Sequence, residues 1–151
     1  MKDWTESREN DLFIYEVAKE LTNNGIIIEK FWQKSDGTLD GRLSVIVHHD
    51  FSFDHKMVKI KKNSEGPTRW MDSINTINNF GVDDNHIYVL VDETNNLHIV
   101  PSRVYLSGVN IGHQEWLNSF GRYGQEHNDN DVRVFWDNDN LYLNNYNYFR
   151  V

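Results

Sequence analysis

The stretch Lys56-Met-Val-Lys-Ile-Lys-Lys62 and the preceding Asp40-Gly-Arg-Leu-Ser-Val-Ile-Val47 together decide which fold this chain can adopt. A polar, aromatic segment separates them, so the pattern predicts two strands joined by a short turn. Side chains alternate between the two faces of a strand. Met57, Lys59 and Lys61 therefore share one face, and Val58 and Ile60 share the other.

Helices and strands alternate along the rest of the chain. Apolar residues at helical spacing predict the first helix, and Gly-Pro before Thr68 followed by a second apolar stripe predicts another. Consecutive Val45, Ile46 and Val47 within 43–48, and the largely apolar segment 87–92, indicate strands buried on both faces, beside the lysine-rich strand. The complete set is helices over 5–24, from 66 to 81 and over 113–120, and strands over 26–32, 43–48, 56–62, 87–92, 97–100, 132–136 and 141–148.

These elements predict one α/β domain over residues 1–151, with a mixed central β-sheet flanked by helices. The sequence has 151 residues, a net charge of −8 and no cysteine, so disulfides and thiolate metal sites are excluded. It contains no apolar run long enough to cross a membrane and does not begin like a signal peptide, so we expect a cytoplasmic protein. Its oligomeric state stays open.

The order of these elements resembles the core of the PD-(D/E)XK nucleases, the restriction-endonuclease-like superfamily. The resemblance covers about residues 5–120. It rests on the helix with Glu9 and Glu16, the strand after Asp40, the strand Lys59-Ile-Lys61, the helix opened by Trp70, and the segments 87–91, 97–102 and 113–116. It implies a restriction-endonuclease-like fold, in which Asp40 and Lys61 meet at one end of the sheet with Lys59 on the same face.

The catalytic motif itself departs from the family pattern, because Lys59 stands where a second carboxylate is expected. In those nucleases carboxylates hold Mg²⁺ and a lysine helps to position the attacking water. At about 4 Å and an effective dielectric constant near 20, the Lys59 ammonium would repel each unit charge on the dication by about 4 kcal/mol. The resemblance therefore implies a degenerate, non-catalytic site that needs no cofactor.

Three alternatives stay open at this point. A carboxylate relocated from elsewhere could restore an active Mg²⁺ nuclease. The candidates are Glu9, Glu16, Asp50, Asp54 and Glu65. The lysines could instead be solvated side chains of a strand protected against aggregation. The third alternative is a small acidic inhibitor or immunity protein that binds a basic partner.

Two further groups of residues suggest binding. Imidazoles and carboxylates between the two strands could hold a transition metal, with His48 or His49 opposite His55 across a hairpin. This group comprises His48, His49, Asp50, Asp54 and His55. Lys56 and Lys62 extend the basic patch, and exposed aromatics beside lysines can stack bases or contact a protein. The aromatics in question are Phe51, Phe53, Tyr142, Tyr146, Tyr148 and Phe149. The sequence thus predicts a nucleic-acid- or protein-binding module, of the kind found in defence systems and mobile elements.

Overall fold

A five-stranded sheet organises the molecule in a computed structural model that describes residues 4–64, 66, 68–118, 129 and 131–150. The described elements are helices α1 (Trp4–Asn23), α2 (Ile74–Phe80) and α3 (Ser102–Asn118), a final 3₁₀-helix (Tyr146–Arg150), and strands β1 (Ile27–Gln33), β2 (Leu39–His48), β3 (Phe53–Lys62), β4 (Arg69–Ser73), β5 (His86–Val91), β6 (Leu97–Pro101) and β7 (Val132–Trp136). None of the described helices is both long enough and apolar enough to span a membrane.

The strand order in the main sheet is β1-β2-β3-β5-β6. Strands β1, β2 and β3 form an antiparallel meander, β3 and β5 run parallel, and β5 and β6 form an antiparallel hairpin. The predicted mixed sheet, with the strands over 43–48, 58–61 and 87–92 as neighbours, is confirmed. Strand β4 and helix α2 form the connection between the two parallel strands, and β4 pairs with β7 in a separate two-stranded sheet.

Each face of the main sheet carries its own hydrophobic core. On the α1 face, Ile14 and Leu21 of α1 pack with Val58 and Ile60 of β3. On the opposite face, here called the α3 face, Tyr105 of α3 packs over β5 together with residues of the small sheet. The period-two alternation of β3 therefore separates the two cores, as the sequence predicted for a strand with lysines on one side.

Three predicted elements differ from those in the structure. Residues 69–73 form β4, so the predicted helix over 66–81 begins only at Ile74, where Ser73 caps it by accepting a hydrogen bond from Thr76. The predicted helix over 113–120 begins earlier, at Ser102, directly after Pro101 ends β6. The predicted strand over 141–148 is also wrong, because that segment makes one β-bridge at Leu143 and then enters the 3₁₀-helix. Glu65, Pro67 and Phe120 lie outside the described residues.

A buried histidine ties the β5–β6 hairpin to the end of β7. The ring of His98 in β6 is fully buried. Its Nε2 lies 2.8 Å from Oδ2 of Asp92, and its Nδ1 lies 2.6 Å from Oδ2 of Asp137. Each ring nitrogen thus has an acidic side chain within hydrogen-bonding distance. The buried imidazole ring is held between these two side chains, with the Trp70 ring 5.0 Å away.

The same cluster fixes the hairpin loop between β5 and β6. Burial acts to raise the pKa of Asp92, but hydrogen bonds from His98, Thr94 and the backbone of Asn96 outweigh it and hold that pKa below its ordinary value. Oδ1 accepts from the Thr94 hydroxyl at 2.7 Å and from the Asn96 backbone at 3.0 Å. The charged form of Asp92 is thus the form that the fold requires.

We expect His98→Leu to lower the free energy of unfolding by about 3–5 kcal/mol, because it leaves two buried acidic side chains without their shared hydrogen-bonding partner. Urea unfolding monitored by tryptophan fluorescence would measure the loss. The matched control is His55→Leu, since His55 pairs with Glu29 at the surface and such a pair contributes about 1 kcal/mol or less. Equal losses in the two variants would contradict a special role for the buried histidine.

Candidate functional site

A polar cleft of about 350 Å³ opens on the α3 face where β2 begins. Strands β2 and β3 supply Asp40, Arg42 and Lys59 to its wall, and helix α2 supplies the rest. The α2 side chains that line the cleft are Thr76, Asn79 and Phe80. Because Arg42 lies directly opposite Lys59 in the β2–β3 register, both side chains point to the same side of the sheet.

The glycine after Asp40 explains how this wall is built. Gly41 has a φ of 93°, which an L side chain rarely adopts, and a Cβ at this position would lie 3.2 Å from the carbonyl oxygen of Ile60. The backbone of β2 therefore passes unusually close to β3 at this point. Asp40 and Arg42, on either side of Gly41, both project toward the cleft.

Asp40 is neutralised by its neighbour. Its Oδ2 accepts hydrogen bonds from Nη2 of Arg42 at 2.7 Å and from Nε at 3.0 Å, and its Oδ1 accepts from the Arg42 backbone at 2.9 Å. Burial acts to raise the pKa of Asp40, but these hydrogen bonds and the charge of Arg42 outweigh it and hold the pKa below its usual value. Most of the acceptor capacity of this carboxylate is therefore already used.

Lys61 is also engaged, although it lies on the same face as Asp40. Its Nζ lies 2.7 Å from Oδ2 of Asp72 and 2.7 Å from the carbonyl oxygen of Met71, both on β4. The Tyr105 hydroxyl lies 3.5 Å from the same oxygen of Asp72. The carboxylate beside Lys61 is therefore Asp72. Asp40 and Lys61 share one face, as predicted, but each is paired with a different residue.

Lys59 differs from both. Its ammonium makes no hydrogen bond or ion pair with any other described residue, and it lies 5.9 Å from the centre of the Phe80 ring. Burial lowers the pKa of Lys59, and the charges of Lys61 and Arg42 lower it further, against opposing contributions from Asp72 and Asp40. A half-buried cation with an aromatic ring beside it but no ionic partner, next to a second cation, has the electrostatics of a site that an anion would complete.

The other residues predicted for this site lie elsewhere. Glu9 and Glu16 belong to α1 and line a separate cavity of about 750 Å³ on the opposite face of the sheet. Lys56 is 3% exposed, and its Nζ donates to the carbonyl oxygen of Asp84 at 2.8 Å. Lys62 lies over the Phe13 ring of α1, at 4.3 Å. The lysine-rich strand is therefore not one basic patch, because alternation and burial divide its lysines.

The histidines at the β2–β3 turn are likewise divided. The prediction that His48 or His49 faces His55 is wrong, because His48 pairs with Phe53 and His55 pairs with Ile46 in the strand register. His49 binds Asp54, with 2.7 Å between Nε2 and Oδ2, and His55 binds Glu29. Asp50 lies in the exposed turn. Within the described part of the chain, no three histidine or carboxylate side chains are arranged to hold a metal ion.

Sequence reasoning missed Arg42, Asp72 and the α2 residues of the cleft. Asp72 was hidden because the segment over 66–81 was predicted to be one helix. Its strand conformation depends on β7, which follows about 60 residues later. The one local signal was Ser73, a strong helix N-cap residue that indicates a helix starting after Asp72.

Comparisons with protein-family models, with curated proteins and with solved structures found no match for this chain. The chemistry of the cleft therefore has to be argued from its own residues. These are one neutralised carboxylate, one arginine with an exposed edge, one unpaired lysine, and two short polar side chains that can donate hydrogen bonds.

We expect Lys59 to titrate below the ordinary lysine pKa of 10.5 in the folded protein. Arg42→Gln should raise this pKa, because it removes a repelling charge and frees Asp40 to attract the ammonium. Asp40→Asn should lower it, because it removes an attracting charge. Side-chain NMR of ¹³C-labelled lysine across a pH series would measure the Lys59 pKa in the natural protein and in both variants. A midpoint at or above 10.5 in the natural protein would contradict the electrostatics described above.

Proposed function

We propose that this chain is a restriction-endonuclease-like domain that has lost catalysis and binds a phosphate group of nucleic acid in the cleft between β2, β3 and α2. The observation that carries the proposal is the unpaired ammonium of Lys59 beside the guanidinium of Arg42. The element order of one helix, three antiparallel strands, a helical connection and a parallel strand supports the relation to the PD-(D/E)XK fold.

The charges of the cleft favour an anion. Asp40 and Arg42 neutralise each other, as do Lys61 and Asp72, and Lys59 leaves one positive charge in excess. Arginine and lysine are the residues that contact phosphate oxygens, and arginine can do so with two parallel hydrogen bonds. Thr76 and Asn79 add neutral donors at the rim of the cleft.

The charge of the whole protein limits how much of a phosphate backbone it can contact. Proteins that track many phosphates present a broad basic surface, whereas this chain has a net charge of −8. We therefore infer that the cleft holds one phosphate group. Contacts of another kind must supply the remaining affinity.

The same geometry argues against phosphodiester cleavage. A hard cation needs free carboxylate oxygens, and both nearby carboxylates are held by cations at 2.7 Å. The alternative of an active nuclease with a relocated carboxylate now rests on Asp72, which contributes to the electrostatics of Lys59 and binds Lys61. It would require Asp72 to release Lys61 and bind the metal beside two ammonium groups.

A second candidate function has its own observation. The cavity on the α1 face is lined by Glu9, Glu16 and Glu20 together with apolar and asparagine side chains, and its three carboxylates suit a basic partner protein. The alternative of an acidic inhibitor would therefore place its binding surface at this cavity. It predicts that nucleic acid does not bind and that charge reversal on α1, not in the cleft, alters complex formation.

We expect Lys59→Met and Arg42→Gln each to weaken nucleic-acid binding by about tenfold or more, as removal of a charged hydrogen bond does. Each should also reduce by about one the slope of the logarithm of the binding constant against the logarithm of salt concentration. Fluorescence anisotropy with labelled oligonucleotides at low salt would measure both effects. Lys19→Met, an exposed lysine on α1, is the matched control. An equal loss in the control would show that the binding is nonspecific.

We expect no cleavage of DNA or RNA with Mg²⁺ or Mn²⁺, because the dication would lie between ammonium groups that repel it by several kcal/mol. A gel assay with single- and double-stranded substrates tests this for the natural protein. Lys59→Glu, which restores the motif of the family, and Lys61→Ala serve as comparisons. Divalent-dependent cleavage by the natural protein that is lost in Lys61→Ala would establish the active alternative.

A further inference from the structure

The α3 face of the main sheet is covered over β5, β6 and the end of β3, where Lys61 lies under β4, but it is open over β1, β2 and the rest of β3. Tyr88 and Leu90 of β5, and His98 and Val100 of β6, are fully buried on this face. On the other three strands, Phe53 is 55% exposed and Ile27 is 44% exposed. The side chains of Arg42, Glu29 and His55 are exposed by 40% or more. The phosphate cleft thus opens directly onto an uncovered sheet surface.

A row of side chains leads away from the cleft along β3. Lys59, Met57, His55 and Phe53 are spaced by two residues and project from the same face. The row measures about 20 Å, since six residues of strand rise about 3.3 Å each. At its far end the Phe53 ring lies 5.6 Å from the ring of His55 and 6.1 Å from that of His48.

From this arrangement we infer that a single strand of nucleic acid lies along β3, with one phosphate between Lys59 and Arg42 and a base stacked on Phe53. The inference rests on the function proposed above and specifies the ligand. Exposed aromatic rings on an open sheet are stacking platforms, since every base presents a π-face. Paired bases are stacked inside a duplex, so their faces cannot reach a ring on a flat sheet.

The charge distribution assigns phosphate and bases to different parts of the surface. Beside the middle of the row, Glu29 accepts a hydrogen bond from Ser44 at 3.0 Å and lies 2.9 Å from Nδ1 of His55. This carboxylate disfavours phosphate groups over the middle of the sheet. Met57 and Phe53 provide apolar contact there, so the bases, not the backbone, face β3.

The test compares a thymidine dinucleotide with a hexanucleotide, each labelled at the same end, by fluorescence anisotropy. The dinucleotide reaches only the cleft, whereas the hexanucleotide reaches both the cleft and Phe53. Phe53→Ala should weaken binding of the hexanucleotide by about tenfold and leave binding of the dinucleotide unchanged. Glu29→Gln should strengthen binding of the hexanucleotide. The matched control is Phe51→Ala, a fully exposed phenylalanine in the adjacent turn.

The outcomes separate this inference from the function on which it rests. The inference is overturned if Phe53→Ala binds both lengths as the natural protein does, if Phe51→Ala causes the same loss, or if a duplex of six base pairs binds as tightly as the single strand. In those cases Lys59→Met would still weaken binding of both the dinucleotide and the hexanucleotide if the cleft binds phosphate. If neither length binds the natural protein at all, both proposals are wrong.

Discussion

A single buried histidine determines where the small sheet can lie. His98 projects from β6 with a carboxylate at each ring nitrogen, and one of these, Asp137, directly follows β7. Because buried charges are tolerated only when they are paired, this contact fixes the end of β7 against the main sheet. Strand β4 pairs with β7 along five residues, so its position follows from that of β7. The connection from β3 to β5 is thereby held over the α3 face.

The position of β4 in turn makes the two lysines of β3 different from each other. Asp72 on β4 reaches Lys61 and forms a largely buried ion pair with it. Lys59, two residues earlier on the same face, lies beyond that pair and next to Arg42. Strand alternation alone gives both lysines the same surroundings. The small sheet removes one of them from the surface and leaves the other as the unpaired cation of the cleft.

The parts of this fold that could be predicted from sequence depend on contacts close together in the chain. Consecutive apolar residues within 43–48 and 87–92 predicted the central strands, and alternation predicted that Lys59 and Lys61 share a face. The parts that could not be predicted depend on distant pairing. Residues 69–73 have helical spacing but form a strand because β7 supplies their hydrogen-bonding partner. Asp72 and the carboxylates around His98 became visible only once that pairing was known.

The net charge of −8 is compatible with the proposed binding of a phosphate in the cleft, because exposed charges act only over short distances in salt. At physiological ionic strength the field of an exposed charge is screened within about 8 Å. Acidic side chains on α1, behind the sheet, therefore act weakly on a phosphate in the cleft, whereas Lys59 and Arg42 act at contact distance. A long duplex would meet both the cleft and the acidic surroundings at its edge. A short single strand that contacts β3 through its bases would place one phosphate in the cleft and its bases near Met57 and Phe53, with its other phosphates turned away from Glu29. The overall charge and the local geometry thus both favour a single strand over a duplex.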